Sequence, residues 1–315
     1  MRISLQEAVK ALSQSIPVAI PTETVWGLAA PLRDERAIKK IFLLKGRPNE
    51  NPLIVHLGSQ EEIFSYTPLL REEMWPLIDA FWPGGLTLVV PVDTKKVPSI
   101  VRAGLPTTGF RMPRHPLCLE LLSQTGPLVA PSANRSGRPS ATTMQHIEMD
   151  FGEAVPIIMT PDACQHGIES TILIWRESLW ALGRKGAVSL QEIAKILGYL
   201  PQEIPGLSQP LCPGQKFRHY APHARLVLSY EAWNEQKGDE YDGVLGFSDR
   251  FYSQAKRVIT MGSSTELSQV SYYLYQALRQ IDQYGLDFVF VDLSGSWSSE
   301  WSVIFDRLQR AATGL

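Results

Sequence analysis

Apolar residues recur at helical spacing from Leu5 to about Ser13. The run opens on Ser4-Leu5-Gln6-Glu7, a serine with a glutamate three residues on, which reads as a capping box. A short apolar run at 16–20, bounded by Pro17 and Pro21, then predicts a strand, and a polar turn follows it. Asp34 caps a second helical pattern. The stretch 53–57 reads as a buried strand, and 85–92 as another after the breaker Pro83-Gly84. Further strands are predicted at 107–111, 127–131, 155–159, 170–175 and 179–183, with short helices at about 69–81, 116–124 and 143–151. Ser189-Leu190-Gln191-Glu192 opens a second capping-box helix that ends near Gly198. Strands and helices interleaved in this way predict an α/β (α+β) domain over residues 1–200.

Between 201 and 222 the chain carries Pro201, Pro205, Pro210, Pro213 and Pro222, too many for a helix or an interior strand, so an extended linker is expected. Its tail, 213–222, is rich in cations and aromatics, with Lys216, Phe217, Arg218, His219 and Tyr220 in close succession, which a mere spacer does not need. Beyond it, apolar runs at 225–229, 243–247, 257–261 and 287–292 alternate with helical patterns at about 230–237, 265–283 and 299–312. That is the pattern of a smaller, Rossmann-like α/β domain over 223–315, without a G-x-G-x-x-G turn.

Composition narrows the class. At 315 residues, 44% hydrophobic and 20% charged, the chain can bury a sizeable core, which excludes disorder and coiled coil. Thirty Lys plus Arg against 32 Asp plus Glu leave a net charge of −2, so there is no global footprint for nucleic acid and any anion site must be local. No apolar run approaches the roughly 18 to 20 residues that span a bilayer, and the start has no signal-peptide pattern, so a soluble cytoplasmic protein is expected. Cys118, Cys164 and Cys212 form no C-x-x-C pair, and the close pair His219 and His223 has Pro222 between its members; no protein-built metal site is expected. Nothing in the pattern demands more than a monomer.

The usual P-loop, dinucleotide and nucleophile-elbow signatures are missing, so phosphate binding needs another solution. The clearest anomaly is 101–147, where Arg102, Arg111, Arg114, Arg135 and Arg138 face one carboxylate, Glu120, and no lysine. Guanidinium forks match carboxylate and phosphate oxygens, so the stretch suits a pocket for anionic small molecules; a solvated basic surface is the alternative. Four loops beside predicted strands fit the pocket. In Pro21-Thr22-Glu23-Thr24, two hydroxyls and a carboxylate can grip an amino acid's amine and hydroxyl, or form an ordinary ST-turn. Lys45-Gly46-Arg47-Pro48 and Asn51 put two cations in a constrained loop, with His56 at the far end of a strand, where a satisfied core histidine is the competing reading. The run 130–140, with Ser132, Asn134, Arg135, Arg138 and Ser140, has the short side chains of an anion nest. Glu169-Ser170-Thr171 and Gly183-Arg184-Lys185-Gly186 begin and end a predicted β-hairpin. With no Ser-His-Asp or Cys-His set, the chemistry favoured is positioning and charge neutralisation rather than covalent catalysis.

The segments PTETVWGL, KGRPNENPLIVH, FWPGGLTLV, GFRMPRHP, APSANRSGRPS, ESTI and LGRKG, in this order over essentially the whole chain, resemble the threonylcarbamoyl-AMP synthase (YrdC-type) family. The PGQKFRHYAP linker and trailing domain resemble its longer, two-domain branch. The resemblance implies a transferase, specifically a nucleotidyltransferase, that converts L-threonine, bicarbonate and ATP to L-threonylcarbamoyladenylate and pyrophosphate. It implies that the product goes to a tRNA threonylcarbamoyl transferase complex for the t6A modification at position 37 of tRNA. A twisted mixed open sheet around a basic central cavity is implied with it. Thr24, His56, Arg111 and Ser170 are then expected to hold L-threonine, with Ala130 contributing only backbone groups where some members carry a hydroxyl. Lys45, Arg47, Asn51, Thr107, Ser132, Asn134, Ser140, Arg184 and Tyr220 are expected to hold ATP, with Mg2+ carried mainly on its phosphates. Trp26 stands where the family often has tyrosine and remains an aromatic wall. The alternative of another class is an RNA-binding module using the basic cavity as a groove for tRNA or double-stranded RNA; the balanced charge counts against it.

Overall fold

A computed structural model describes residues 1–67, 71–161, 164–204, 211–212, 219–234 and 238–312. In chain order the first unit contains β1 (Arg2–Ile3), α1 (Leu5–Ser13), β2 (Val18–Ile20), β3 (Gly27–Pro31), α2 (Glu35–Lys45) and β4 (Ile54–His56). There follow α3 (Arg71–Phe81), β5 (Leu86–Pro91), β6 (Thr107–Arg111), α4 (Pro116–Thr125) and β7 (Leu128–Val129). It closes with α5 (Met144–Phe151), β8 (Ile157–Ile158), β9 (Thr171–Arg176), β10 (Leu179–Arg184) and α6 (Leu190–Leu197). The capping boxes form at both Ser4 and Ser189, each serine Oγ accepting from the backbone N–H of the glutamate three residues on, and Asp34 caps α2 through Ala37 N–H.

The strands of this unit make one mixed sheet in the order β1-β8-β2-β3-β7-β4-β6-β5-β9-β10 among the described residues. Its registers decide which residues share a face. Val55, Val129, Phe110, Leu88 and Leu173 lie in one row across β4, β7, β6, β5 and β9, and all are buried in the larger core with Ile38, Ile41 and Phe42 of α2 and Met74, Leu77 and Ile78 of α3. Because side chains alternate, the neighbours Ile54, His56, Gly109 and Arg111 point to the opposite face. That face is apolar on both flanks. Leu128 and Ala130 cluster with Leu12 of α1 and Leu121 of α4 on one side, and Ile54, Val89, Ile172 and Ile174 cluster with Cys212 on the other. His56, Gly109 and Arg111 occupy the polar strip between them, with His56 and Arg111 as direct register partners. Gly109 keeps the strip open, since a Cβ there would lie 3.3 Å from Thr87 Cγ2 and 3.4 Å from Ile54 Cγ1. The β9–β10 hairpin turns through Glu177 and Ser178, both at positive φ, as a two-residue loop in a right-twisted ribbon requires.

The second unit consists of 137–140, 166–168 and 217–315. Its strands β11 (Arg225–Ser229), β12 (Gly243–Gly246), β13 (Val258–Thr260) and β14 (Phe288–Asp292) form a parallel sheet in the order β11-β14-β12-β13, with helices α7 (Leu267–Gln283) and α8 (Ser302–Ala312). This matches the expected smaller α/β fold.

Three expectations differ from the structure. Residues 27–31 form a strand that the pattern did not announce, because Gly27-Leu28-Ala29-Ala30-Pro31 is buried almost throughout and carries neither alternation nor β-branched residues. No helix forms over 230–234, and 235–237 lie outside the described residues; the Trp233 ring packs edge-on to Phe290, 5.3 Å between centroids, and its indole N–H donates to Ser253 O. The linker is not a free spacer where it is described. Leu182 N–H donates to Gln202 O and Leu182 bridges Glu203, so 202–203 runs along β10. Pro205, Pro210, Pro213, Lys216, Phe217 and Arg218 lie outside the described residues. Among the described residues no helix is long and apolar enough to cross a membrane.

Candidate active site

The turn from β2 to β3 is tied by Thr22, whose hydroxyl donates to Val25 O at 2.6 Å and meets Thr24 Oγ1 at 2.8 Å. This ST-turn rotates Glu23 and Thr24 inward, and both are buried. Arg111, the last residue of β6, meets them there. Its Nη2 lies 2.6 Å from Glu23 Oε1, its Nη1 donates to Thr24 Oγ1 at 2.8 Å, and its Nε donates to Gly84 O at 3.0 Å. Arg114 N–H takes the second oxygen, Glu23 Oε2, at 2.9 Å. The two side chains of the ion pair are 5% and 1% exposed, so neither is screened by water. Burial pushes the Glu23 carboxyl up, but the Arg111 charge and the N–H donors more than offset it and hold it below its ordinary value. The carboxylate that sequence offered as a grip for an amino acid's amine is thus committed to orienting Arg111.

His56 stands in register with Arg111 and is buried, with Nδ1 3.3 Å from Ile54 O. Burial first and the Arg111 charge second lower its pKa from 6.5 to about 3, so it is a neutral imidazole at neutral pH. Thr87 Oγ1 and Ser170 Oγ are 2.8 Å apart, and Arg184 reaches Ser170 from β10, donating from Nη2 to its carbonyl at 3.0 Å and to its hydroxyl at 3.2 Å. Thr87 carried no sequence signal; its contact with Ser170 follows only from the pairing of β5 with β9.

A second polar group sits at the end of α2. Lys45 Nζ donates to the carbonyls of Ser132 and Asn134, and the Lys45 carbonyl accepts from Ser136 N–H. Burial, then the neighbouring Arg47 charge, hold the Lys45 ammonium well below the ordinary lysine range. Arg47 folds back on its own loop, donating from Nε to Asn51 O and from Nη2 to Pro52 O. The Oδ1 of Asn51 and the Oγ1 of Thr107 are buried with no hydrogen-bond partner among the described residues. Two buried polar atoms left so are costly, about 1–3 kcal/mol each. Ala130 N–H is engaged by Ile54 O, and Ser132 bridges Gly27. Ser140 and Tyr220 belong to the second unit.

The arginine-rich stretch does not converge as its composition suggested. Arg102 donates to Val97 O and Leu105 O of its own loop, and Arg135 donates to Asp150 O and lies over Phe151. Arg138 meets His223 in the second unit. Of the five, Arg111 alone reaches the Thr24 hydroxyl on the polar strip, and Arg114 contributes its backbone N–H to Glu23 beside it. Cys118 and Cys164 are buried, and burial pushes both thiols up to about 12, which removes them as nucleophiles.

Comparison with known proteins points to one family. The family model described as "Telomere recombination", which spans Sua5, YciO and YrdC proteins, matches residues 10–186, and the one described as "Threonylcarbamoyl-AMP synthase, C-terminal domain" matches 188–313. A Bacillus subtilis protein named threonylcarbamoyl-AMP synthase is 35% identical, with 98% of this chain and 93% of that protein covered. A Pyrococcus abyssi protein of the same name is 35% identical over 87% of this chain and 84% of its own length. The solved structure of P. abyssi Sua5 complexed with L-threonine matches with a TM-score of 0.88 at 32% identity, covering 99% of this chain and 96% of that one.

Two outcomes follow from the buried groups. Glu23→Gln leaves Arg111 charged and uncompensated, and is expected to lower stability by about 3–5 kcal/mol in urea denaturation at pH 7; a loss under about 1 kcal/mol contradicts the role given to the pair. His56 refuses a proton in the fold that the unfolded chain accepts below pH 6.5, so its contribution weakens as pH falls from 6.5 toward 3. Relative to the parent, His56→Gln should therefore gain stability by up to about 1.4 kcal/mol per pH unit below 6.5. A difference independent of pH between 7 and 4 excludes a buried neutral His56.

Proposed function

The chain belongs to the threonylcarbamoyl-AMP synthase family, and on that footing we propose that it condenses L-threonine, bicarbonate and ATP to L-threonylcarbamoyladenylate, pyrophosphate and water, for t6A modification of tRNA. The observation that carries this reading is Arg111, buried and aimed by Glu23, Thr24 and Gly84 O on a strip that also bears His56. A guanidinium has five N–H donors, and three of its nitrogens are already oriented here, so an incoming carboxylate meets a preset fork.

Arg111 takes the threonine carboxylate, and Thr24, His56, Ser170 and backbone groups near Ala130 surround its amine and hydroxyl. Lys45, Arg47, Asn51, Thr107, Ser132, Asn134 and Arg184 take the nucleotide. Asn51 Oδ1 and Thr107 Oγ1 gain the hydrogen bonds they otherwise lack. Anionic phosphate beside Lys45 opposes the burial that depresses its ammonium, so nucleotide binding favours its charged form.

Two bond changes are required. The threonine amine, as free base, attacks the carbon of CO₂, whose C=O π pair moves to oxygen as the amine proton leaves, or that of bicarbonate, where a C–O bond breaks and water departs; either way the N–C bond of a carbamate forms. A carbamate oxygen then attacks the α-phosphorus, forming O–P as the bond to the pyrophosphate oxygen breaks. His56, with its pKa near 3, accepts a hydrogen bond but stores no proton at neutral pH, so the amine proton leaves through water or the substrates themselves. Proximity and charge neutralisation carry the rate, with Lys45, Arg47 and Arg184 meeting the charge of the departing pyrophosphate. Among the described residues no three His, Cys, Asp or Glu side chains converge on a point, so the donor set fits Mg2+ carried by the nucleotide rather than caged by carboxylates. When bound with ATP, Mg2+ supplies further neutralisation of the phosphates.

Pyrophosphate release from purified protein tests the reading. Release should require both L-threonine and bicarbonate, and should fall by on the order of 100-fold in Arg47→Ala at an unchanged melting temperature. Release that is indifferent to threonine contradicts it.

A further inference from the structure

Thr87 of β5 stands opposite Ile172 of β9 and two residues before Val89, the register partner of Gly109, so its side chain points to the polar strip and not to the larger core. It is wholly buried there, and its methyl Cγ2 faces Gly109, 3.3 Å from where a Cβ on that glycine would stand. With the methyl turned to β6 the hydroxyl is turned to β9, where Oγ1 lies 2.8 Å from Ser170 Oγ. Ser170 is fixed from its other sides. Its carbonyl accepts from Arg184 Nε at 3.2 Å and from Nη2 at 3.0 Å, and Nη2 also donates to its Oγ at 3.2 Å. The next residue, Thr171, donates its N–H to Gly85 O at 2.9 Å, and a Cβ on Gly186 would come within 2.4 Å of the Ser170 carbonyl carbon. Thr24 closes in on the same glycine, its Cγ2 3.7 Å from where a Cβ on Gly85 would stand, and Arg111 Nε holds Gly84 O. The two hydroxyls and the Arg111–Thr24 pair therefore border one short segment, 84–87.

Two hydroxyls carry two protons. Arg184 can only donate, so Ser170 Oγ accepts from it with one lone pair, and a single proton lies between Ser170 and Thr87. The other proton has no acceptor among the described residues. Whichever hydroxyl donates to the other, the couple keeps one O–H in reserve, in a buried place where an unmade hydrogen bond costs about 1–3 kcal/mol. If Thr87 is the donor, both lone pairs of Ser170 are filled, and toward a ligand Ser170 acts in one way, as a donor. In the reaction proposed above the threonine carboxylate goes to Arg111, and the amine nitrogen must keep its lone pair for carbon. The acceptor that remains on L-threonine is its side-chain hydroxyl oxygen.

We propose that Thr87 is a positioning residue for substrate selection: it donates to Ser170 Oγ, so that Ser170, with Arg184 on its other lone pair, offers its own O–H to the side-chain hydroxyl of L-threonine. This rests on the assignment of Ser170 to L-threonine. The test is equilibrium titration of the full chain with L-threonine, with L-2-aminobutyrate, which is threonine without its hydroxyl, and with ATP. The parent should prefer L-threonine to L-2-aminobutyrate by about tenfold or more. Thr87→Val should weaken L-threonine binding by about three- to tenfold, the worth of one hydrogen bond, while L-2-aminobutyrate and ATP change less than about twofold. Thr87→Ser, which restores the hydroxyl, should return most of the lost affinity. Because Thr87 acts through Ser170, adding Thr87→Val to Ser170→Ala should cost less than about twofold more. Threonine affinity in Thr87→Val within about twofold of the parent, an equal loss for both amino acids, or an undiminished loss in the Ser170→Ala background overturns the proposal. If Thr87→Val does not fold, Thr87→Ala is read by the same criteria. A parent that binds both amino acids equally overturns the inference and leaves threonine binding standing, whereas a parent that binds neither sinks the assignment of Ser170 and the inference with it, before any substitution is compared.

Discussion

Glu23 and Arg111 share one dry place in the fold, and neither has a reason to be there without the other. Removing two such charges from water costs several kcal/mol each, and their attraction offsets this only when the remaining donors and acceptors are also satisfied. Here they are. The carboxylate takes Arg111 on one oxygen and Arg114 N–H on the other, and the guanidinium reaches Thr24 and Gly84 besides. Four pieces of chain, the 22–26 turn, the 83–85 loop, the end of β6 and the segment after it, are thereby held by one ion pair. The pair adds little net stability and much specificity, since each piece fits only in the register that completes it.

Lys45 obeys a different rule. It is a buried cation whose hydrogen-bond acceptors are two carbonyls rather than a carboxylate, with Arg47 close enough to depress it further. In the function proposed above, such a group accepts an anion, whereas Arg111 orients one. The two halves of the proposed reaction need this contrast. An amino acid must be held in one pose for its amine to react, while a triphosphate needs concentrated positive charge that tolerates movement of the leaving group.

Elements with local instructions were legible from sequence. The helices opened by Ser4, Asp34 and Ser189 carry their caps within four residues, so their starts needed no tertiary knowledge. β3 was not legible, because a strand buried on all sides and built from Gly, Ala, Leu and Pro lacks the alternation that marks a half-exposed one. The stretch around Trp233 has helical spacing, yet that ring packs on Phe290, more than fifty positions away, and 230–234 forms no helix. Arginines show the same limit within the site. Composition gathered Arg102, Arg111 and Arg135 into one group, and only the fold separates the first and last, which brace backbone carbonyls, from Arg111, whose carboxylate lies 88 positions distant. Glu23 was visible as a carboxylate in a suggestive turn, but its partner was not.

The central claim is that Arg111 is held ready to receive a carboxylate, and it is tested most directly by calorimetric titration of the protein with L-threonine and with L-threoninamide, which differs only at that group. The account predicts that the amide binds on the order of 100-fold more weakly, as expected when one partner of a buried, hydrogen-bonded charge pair is removed. Equal affinity for the two would mean that the guanidinium serves only Glu23 and the fold, and that threonine is recognised elsewhere.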